Sequence, residues 1–275
     1  MLLLREQQDA SLAEAIRRAG LDNLQGAFDF SGGQDLDKPG LGCRRRTRLH
    51  LTDSTGADHL LYMKRYNAMD RAGLVRARLS GQRQGSQAWL EMRNIQAVRD
   101  AGVPTMQVLA WGQQPPRSYI LVTSVPGEAV ERCGNAFFAR YGQDMTVCDA
   151  FTWQLANMAS RLHQAGLFHR DFYASHVFLE IRDELPHLYL IDLARIIAPR
   201  FRRFRWVVKD LAQLKYSMPD RWVNGYWEGF LQRYLEHPSG PGLRRLQRAI
   251  DRKVQRMTRH DVRRRARRIK RSPSL

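Results

Sequence analysis

Cysteine is scarce in this 275-residue chain: Cys43, Cys133 and Cys148 are an odd number without C-x-x-C spacing. That pattern argues against a disulfide framework and against a thiolate zinc site, leaving ordinary reduced thiols as the expectation. Long apolar runs are missing too. The longest clear one, "YILVTSV" at 119–125, falls far short of the roughly 18 residues a membrane helix requires. The opening "MLLL" meets Arg5 and Glu6 at once, short of the roughly 7 to 15 apolar residues of a signal peptide. A cytoplasmic protein with no transmembrane segment is the expectation. Acidic residues are the third shortage: 27 stand against 45 Lys and Arg, a formal net charge of +18.

The excess is uneven. Residues 241–275 hold 14 Lys and Arg against Asp251 and Asp261, so +12 of the +18 sits in the last 35 residues. Such a tail suits an anionic partner: a phospholipid surface, a nucleic acid or an acidic protein. The remaining composition, 43% hydrophobic and 26% charged, is that of a globular chain.

Element patterns change along the chain. "REQQDASLAEAIRRAG" reads as an opening helix closed by Gly20, and strand signals follow in "LQGAFDF", "TRLHLT" and "HLLYMKRY". A helix, "SQAWLEMRNIQAVRDAG", and two more strands, "TMQVLAWG" and "SYILVTSV", complete this part. Beyond it helices dominate, the clearest having Phe151, Leu155, Met158 and Leu162 on one face. The short strands "HVFLEIR" and "LYLIDL" interrupt them. This predicts an α+β bilobal fold with a cleft: a small antiparallel β-sheet lobe with one main helix, then a mostly helical lobe. The expected divisions are an N-terminal helical extension (1–23), a sheet lobe (24–125), a helical lobe (126–240) and a basic amphipathic helix with an Arg-rich tail (241–275).

Phosphoryl transfer from ATP requires a strand lysine for the phosphates, a helix carboxylate to orient it, an aspartate for the acceptor hydroxyl and another for magnesium. Lys64, Glu91, Asp171 and Asp192 occur in that order. A strand lysine alone is commonly a solvated edge, and a mid-helix glutamate a plain helix former. Strand lysine followed by the next helix's glutamate is nevertheless the topology that lets the two pair. "HRD" at 169–171 follows a long helix and precedes a strand, and Asp192 comes 21 residues after Asp171 at the end of a second strand. Gly40 and Gly42 in "KPGLGCRRR" fit a phosphate-covering turn, although Arg45 stands where a third glycine is usual and an ordinary hairpin loop explains them equally well.

"HRDFYASHVFL", "IDLAR", "KPGLGCRRRTRL", "YMKRY", "LEMRNIQAVRDAGVP" and "KDLAQLKYSM" together resemble the lipopolysaccharide core kinase family, the WaaP and Kdo-kinase-like group of the protein-kinase-like fold. The resemblance runs from about residue 38 to 218 and rests chiefly on the similarity of the catalytic loop to H-R-D-x-Y-x-x-H. It implies ATP and Mg2+, with phosphate passing to a sugar hydroxyl of the lipopolysaccharide inner core, heptose or Kdo. It implies Asp171 as the catalytic base, Lys64 and Glu91 at the phosphates and Asp192 at the metal; Asp210 matches a buried tether of the catalytic loop or, equally, an N-terminal helix charge, and Ser124 and Val125 fall at the lobe connection expected beside the adenine. His176 stands where protein kinases carry a magnesium-binding asparagine. It is assigned to the metal, with a phosphate contact, binding through water, a brace for Asp171 or a packed histidine as alternatives. Between Asp192 and Asp210 lie five arginines and no Ser, Thr or Tyr, which favours a platform for an anionic substrate over regulation by phosphorylation.

The expected partners are a lipid-linked or phosphorylated sugar acceptor and, through the basic C-terminus, an anionic membrane surface. Attachment would be peripheral, at the inner face of the inner membrane. Leu243, Leu246, Ile250, Val254 and Met257 form a stripe that would dock on the protein itself. A protein kinase or other small-molecule kinase, a pseudokinase, and a basic nucleic-acid-binding protein are the competing readings; nucleic acid leaves the four ordered residues unexplained.

Overall fold

The computed structural model describes residues 10–36, 44–67, 85–142, 144–236 and 241–269. It divides into two compact units, Met1–Asp100 with Thr105–Val125, and Ala101–Pro104 with Pro126–Leu275.

The first unit is a five-stranded antiparallel sheet in the order β1-β2-β3-β5-β4, where β1 is Gln34–Asp35, β2 Arg44–Thr52, β3 Asp58–Tyr66, β4 Val108–Gln114 and β5 Arg117–Thr123. Helix α1 (Ala10–Arg18) covers one face. It stops where Gly20 turns to a φ of +69°, a conformation open to a residue without Cβ. Leu12 and Ile16 of α1 pack with Leu49, Leu61, Met63 and Leu121 from the strands to form the core. Strand alternation sends Leu61, Met63 and Arg65 to this face and Tyr62, Lys64 and Tyr66 to the other, beside helix α3 (Gln87–Asp100).

One element departs from its sequence pattern. "LQGAFDF" reads as a strand, yet Leu24–Asp29 is a helix, α2. Asn23 caps it, its side chain accepting from the Gly26 amide at 2.9 Å. Leu24 and Phe28, four apart, pack together against the core, a spacing that serves a helix better than a strand. Arg65 then ties the end of α2 to the sheet, donating to the Phe30 carbonyl (3.0 Å) and to Thr47 Oγ1 (2.7 Å).

Asp53 clamps the β2–β3 hairpin to α1. Its carboxylate accepts from the Thr55 hydroxyl (2.6 Å), His59 Nε2 (2.9 Å), the Ala57 amide (3.1 Å) and the Ser11 hydroxyl (3.0 Å). The Thr55 hydroxyl first, and His59 after it, hold this carboxyl well below the usual carboxylate range. A group that releases its proton more readily in the folded state stabilises the fold above its ordinary value of 3.8, and that contribution is lost as pH falls below it. Thermal melts across pH 3 to 6 should therefore show part of the acid destabilisation vanishing in Asp53→Asn. The variant should be less stable at pH 6 and less pH-sensitive below about 4; melts parallel to wild type would exclude this role.

In the second unit, helix α4 (Val130–Tyr141) leads to α5 (Met145–Gln164), capped by Asp144 through the Val147 amide. Phe151, Leu155, Met158 and Leu162 of α5 are all buried. Edge-to-face rings of Phe137, Phe138, Phe151 and Trp222 fill the space toward helix α7 (Asp220–Leu235). A three-stranded sheet, β6 (Glu128–Ala129), β7 (Val177–Arg182) and β8 (Leu185–Leu190), presents the turns on either side of it. Helix α6 (Arg203–Ser217) carries the 29-residue α8 (Pro241–Ile269), whose Leu246 and Ile250 are buried while Leu243, Val254 and Met257 are half-buried. The stripe thus docks on the chain itself. Among the described residues no helix is long and apolar enough to cross a membrane.

Candidate active site

The sequence-derived residues fall into two sets, one in each unit. In the first, Lys64 of β3 donates to Glu91 Oε1 of α3 in an ion pair, and the Tyr66 hydroxyl donates to Glu91 Oε2 at 2.7 Å. Lys64 and Tyr66 are two apart on one strand, so both reach the same carboxylate. Glu91 is only 1% exposed and Lys64 14%, so the pair is anhydrous enough to fix the lysine's position. Burial, together with the neighbouring Glu91 charge, pushes the Tyr66 hydroxyl far above its ordinary value, keeping it a donor. Arg46 is directly across β2 from Lys64, and Arg44 lies 5.8 Å over the Tyr66 ring. Arg45, on the opposite face, is held by Asp35. Ser124 and Val125 close this unit, the Ser124 amide donating to the Leu60 carbonyl at 3.0 Å. Gly40 and Gly42 lie outside the described residues.

In the second unit the segment after α5 is held almost entirely by α6. Asp210, fully buried, accepts the His169 amide at 2.7 Å on one oxygen and the Arg170 amide at 2.8 Å on the other. Gln213 takes the Phe172 amide (3.2 Å) and the Ser217 hydroxyl the Ala174 amide (2.7 Å). These three side chains are spaced i, i+3 and i+7, one face of the helix turned to one loop. Lys209 donates to the Arg170 carbonyl, and Arg170 itself adopts a φ of +71°. Burial lowers the Lys209 ammonium below its ordinary value. His169 donates from Nε2 to the Ile191 carbonyl at 2.9 Å, joining this loop to the one that carries Asp192. Its burial favours the neutral ring.

The loop so fixed presents Asp171. Its carbonyl accepts His176 Nδ1 at 2.7 Å and the Tyr173 amide at 2.8 Å, while its carboxylate pairs with Arg195 Nη1 at 2.7 Å. Asp192, at φ +59°, follows β8 by two residues and lies 3.6 Å from His176 Nε2. Because Nδ1 donates to a carbonyl, the neutral ring turns a lone pair toward the Asp192 carboxylate. A proton on Nε2 or a metal ion would join the two groups. Magnesium binds through one or two carboxylates plus substrate phosphates, so this donor set fits it without a full protein cage. Among the described residues no group of three or more His, Cys, Asp and Glu is placed to hold a metal.

Sequence reasoning missed Arg195, Tyr66, Gln213 and Ser217. The first stands in the quoted "IDLAR" and the second in "YMKRY"; the last two follow Asp210 at helical spacing, a signal available had the loop been known to face α6.

The lipopolysaccharide core heptose(I) kinase WaaP of Escherichia coli is 31% identical over 139 residues, covering 46% of this chain and 51% of that protein. The same-named protein of Pseudomonas aeruginosa is 28% identical over 141 residues, 47% of this chain and 52% of that one. The chain thus spans about half the length of the curated relatives it matches. A solved structure, WaaP in complex with acyl carrier protein, superposes with a TM-score of 0.64 at 24% identity, covering 93% of this chain and 98% of that one, which establishes a shared, protein-kinase-like fold. The model of the lipopolysaccharide kinase (Kdo/WaaP) family matches residues 42–234, well over half of the chain, and to that family this protein belongs.

Proposed function

We propose that this chain is an ATP-dependent kinase that phosphorylates a sugar hydroxyl, of heptose or Kdo, in the lipopolysaccharide inner core. The observation that carries the reading is the presentation of Asp171 on a loop whose amides are fixed by Asp210, within the family match. Asp171 orients the acceptor hydroxyl and takes its proton as the bond to phosphorus forms. Lys64, steadied by Glu91, neutralises phosphate charge; Gly40 and Gly42 would cover the phosphates with backbone amides. Ser124 and Val125 would meet the adenine through their main chain.

Asp192 and His176 would hold magnesium, which when bound draws charge from the phosphate oxygens. The pairing of Asp171 with Arg195 holds the carboxylate in place before the acceptor arrives. In this reading residues 24–125 bind nucleotide and 126–240 carry the chemistry. The basic region 241–275 faces anionic headgroups, keeping the enzyme peripheral at the inner face of the inner membrane, where a lipid-linked acceptor lies. The outward arginines of α8, among them Arg244, Arg248 and Arg263, are exposed and suit that role.

The test has two stages. Thermal shift with ATP should require magnesium. Transfer of labelled phosphate from ATP should then reach core oligosaccharide isolated from cells lacking the gene, and the lipopolysaccharide of those cells should be poorer in phosphate than that of the parent. A magnesium-dependent shift without any transfer to oligosaccharide would leave a nucleotide binder and refute the sugar-kinase reading.

A further inference from the structure

A second feature of the catalytic unit lies beside the Asp171 loop and has no part in the chemistry above. Helices α6 and α8 enclose a groove of about 950 Å³. Of its twelve lining residues seven are Arg or Lys, and none is acidic. Arg170, the chain neighbour of Asp171, lines the groove with Arg205 and Lys209 of α6 and Arg252 and Arg256 of α8. Trp206 lies among them, with the charged groups of Arg205, Arg170 and Lys209 at 5.5, 5.8 and 5.9 Å from its ring.

Arg205, Arg252, Lys253, Arg256 and Arg259 crowd like charge around one hollow, and a ligand of opposite charge relieves their repulsion. Asp171 and Asp210 act on Lys209, while the carboxylates of α8 are turned to α6. Helix α8 has two, and both fasten it to α6: Asp251 pairs with Lys215 at 2.7 Å, and Asp261 accepts the Tyr216 hydroxyl at 2.7 Å. Arg252 and Arg256 donate from Nε to carbonyls of their own helix. That contact sets the direction of each side chain while leaving the rest of the guanidinium able to bind phosphate.

We propose that this groove binds a sugar bearing two or more phosphates, Trp206 packing against the sugar ring and the surrounding cations taking the phosphates. Resting on the kinase reading, this makes the groove the anchor for phosphates that the acceptor carries. Guanidinium groups match phosphate geometry in pairs, and an aromatic face supplies what a phosphate-only site would lack.

The experiment uses the full chain without ATP or magnesium and glucose 1,6-bisphosphate as the probe in calorimetric titration. Wild type should bind it about tenfold or more tightly than glucose 6-phosphate, and R252Q/R256Q should lose about tenfold. R252K/R256K should recover part of the loss. The control R263Q/R264Q removes the same charge from exposed positions of α8 outside the groove and should stay within about twofold. Equal losses in the two glutamine pairs would overturn the site, because helix charge alone would explain them. Vesicles of phosphatidylcholine with phosphatidic acid form the lipid arm. Vesicle binding lost only in R252Q/R256Q, with no binding of the bisphosphate, would make the groove a headgroup site and overturn the sugar assignment.

The kinase reading is separated by transfer kinetics. Bisphosphate binding with no transfer to any core acceptor defeats the kinase reading and leaves the site standing. Transfer with an unchanged acceptor KM in R252Q/R256Q defeats the site as an acceptor anchor and leaves the kinase.

Discussion

Replacing Asp171 with asparagine should lower phosphotransfer by about 10²- to 10⁴-fold, the range a positioned general base supplies, while leaving the fold and ATP binding in place. The separation follows from how the loop is built. Its shape is held by backbone groups: the Asp171 carbonyl receives His176 Nδ1, and the amides before it are received by Asp210. Asparagine keeps all of these. What it removes is a proton acceptor and the partner of Arg195, whose side chain is 52% exposed. A pair so open to water contributes at most about 1 kcal/mol, so the melting curve should scarcely move. Single-turnover transfer and a thermal melt on one preparation make the check. Activity within tenfold of wild type would remove Asp171 from the mechanism; a large loss of stability would assign it a structural role instead.

The second large effect concerns stability before activity. Lys64→Met should destabilise the protein by about 3–5 kcal/mol, since it leaves the Glu91 carboxyl buried with only the Tyr66 hydroxyl to satisfy it. Removing both charges should cost less than removing one. Lys64→Met with Glu91→Met should regain much of the lost stability, because a buried pair replaced by apolar groups is often neutral. On the proposed reading activity should not return in the double variant, because no lysine remains for the phosphates. Denaturant titration of the single and double variants closes the cycle. A single variant as stable as wild type would mean that the ion pair is solvated and that Lys64 is not fixed by it.

The two sets of site residues were legible for different reasons. Asp171, His176 and Asp192 lie within 22 residues, and their spacing already requires a loop, a strand, a turn and a second strand. Lys64 and Glu91 are 27 apart, and element order alone made them a pair. The contacts that hold those residues in place were harder to read. Arg195 meets Asp171 across two loops, and the face of Asp210, Gln213 and Ser217 has meaning only once it is known which segment lies against α6. "LQGAFDF" misled because alternation and helical spacing cannot be told apart over six or seven residues, and a capping side chain with a core contact decided between them.

The groove was illegible for the same reason on a larger scale. Its arginines were visible as charge runs on separate helices, and a run by itself is commonly a solvated face. Sequence alone determined the class of fold, the order of its parts and the identity of the charged groups, because periodicity and short-range spacing are properties of neighbours in the chain. Only the tertiary structure decided which of those charges pair with one another and which line a hollow. Electrostatic pairing depends on distance through space, and Lys215 with Asp251, or Tyr216 with Asp261, are brought together by the docking of α8 on α6 and by nothing local to either.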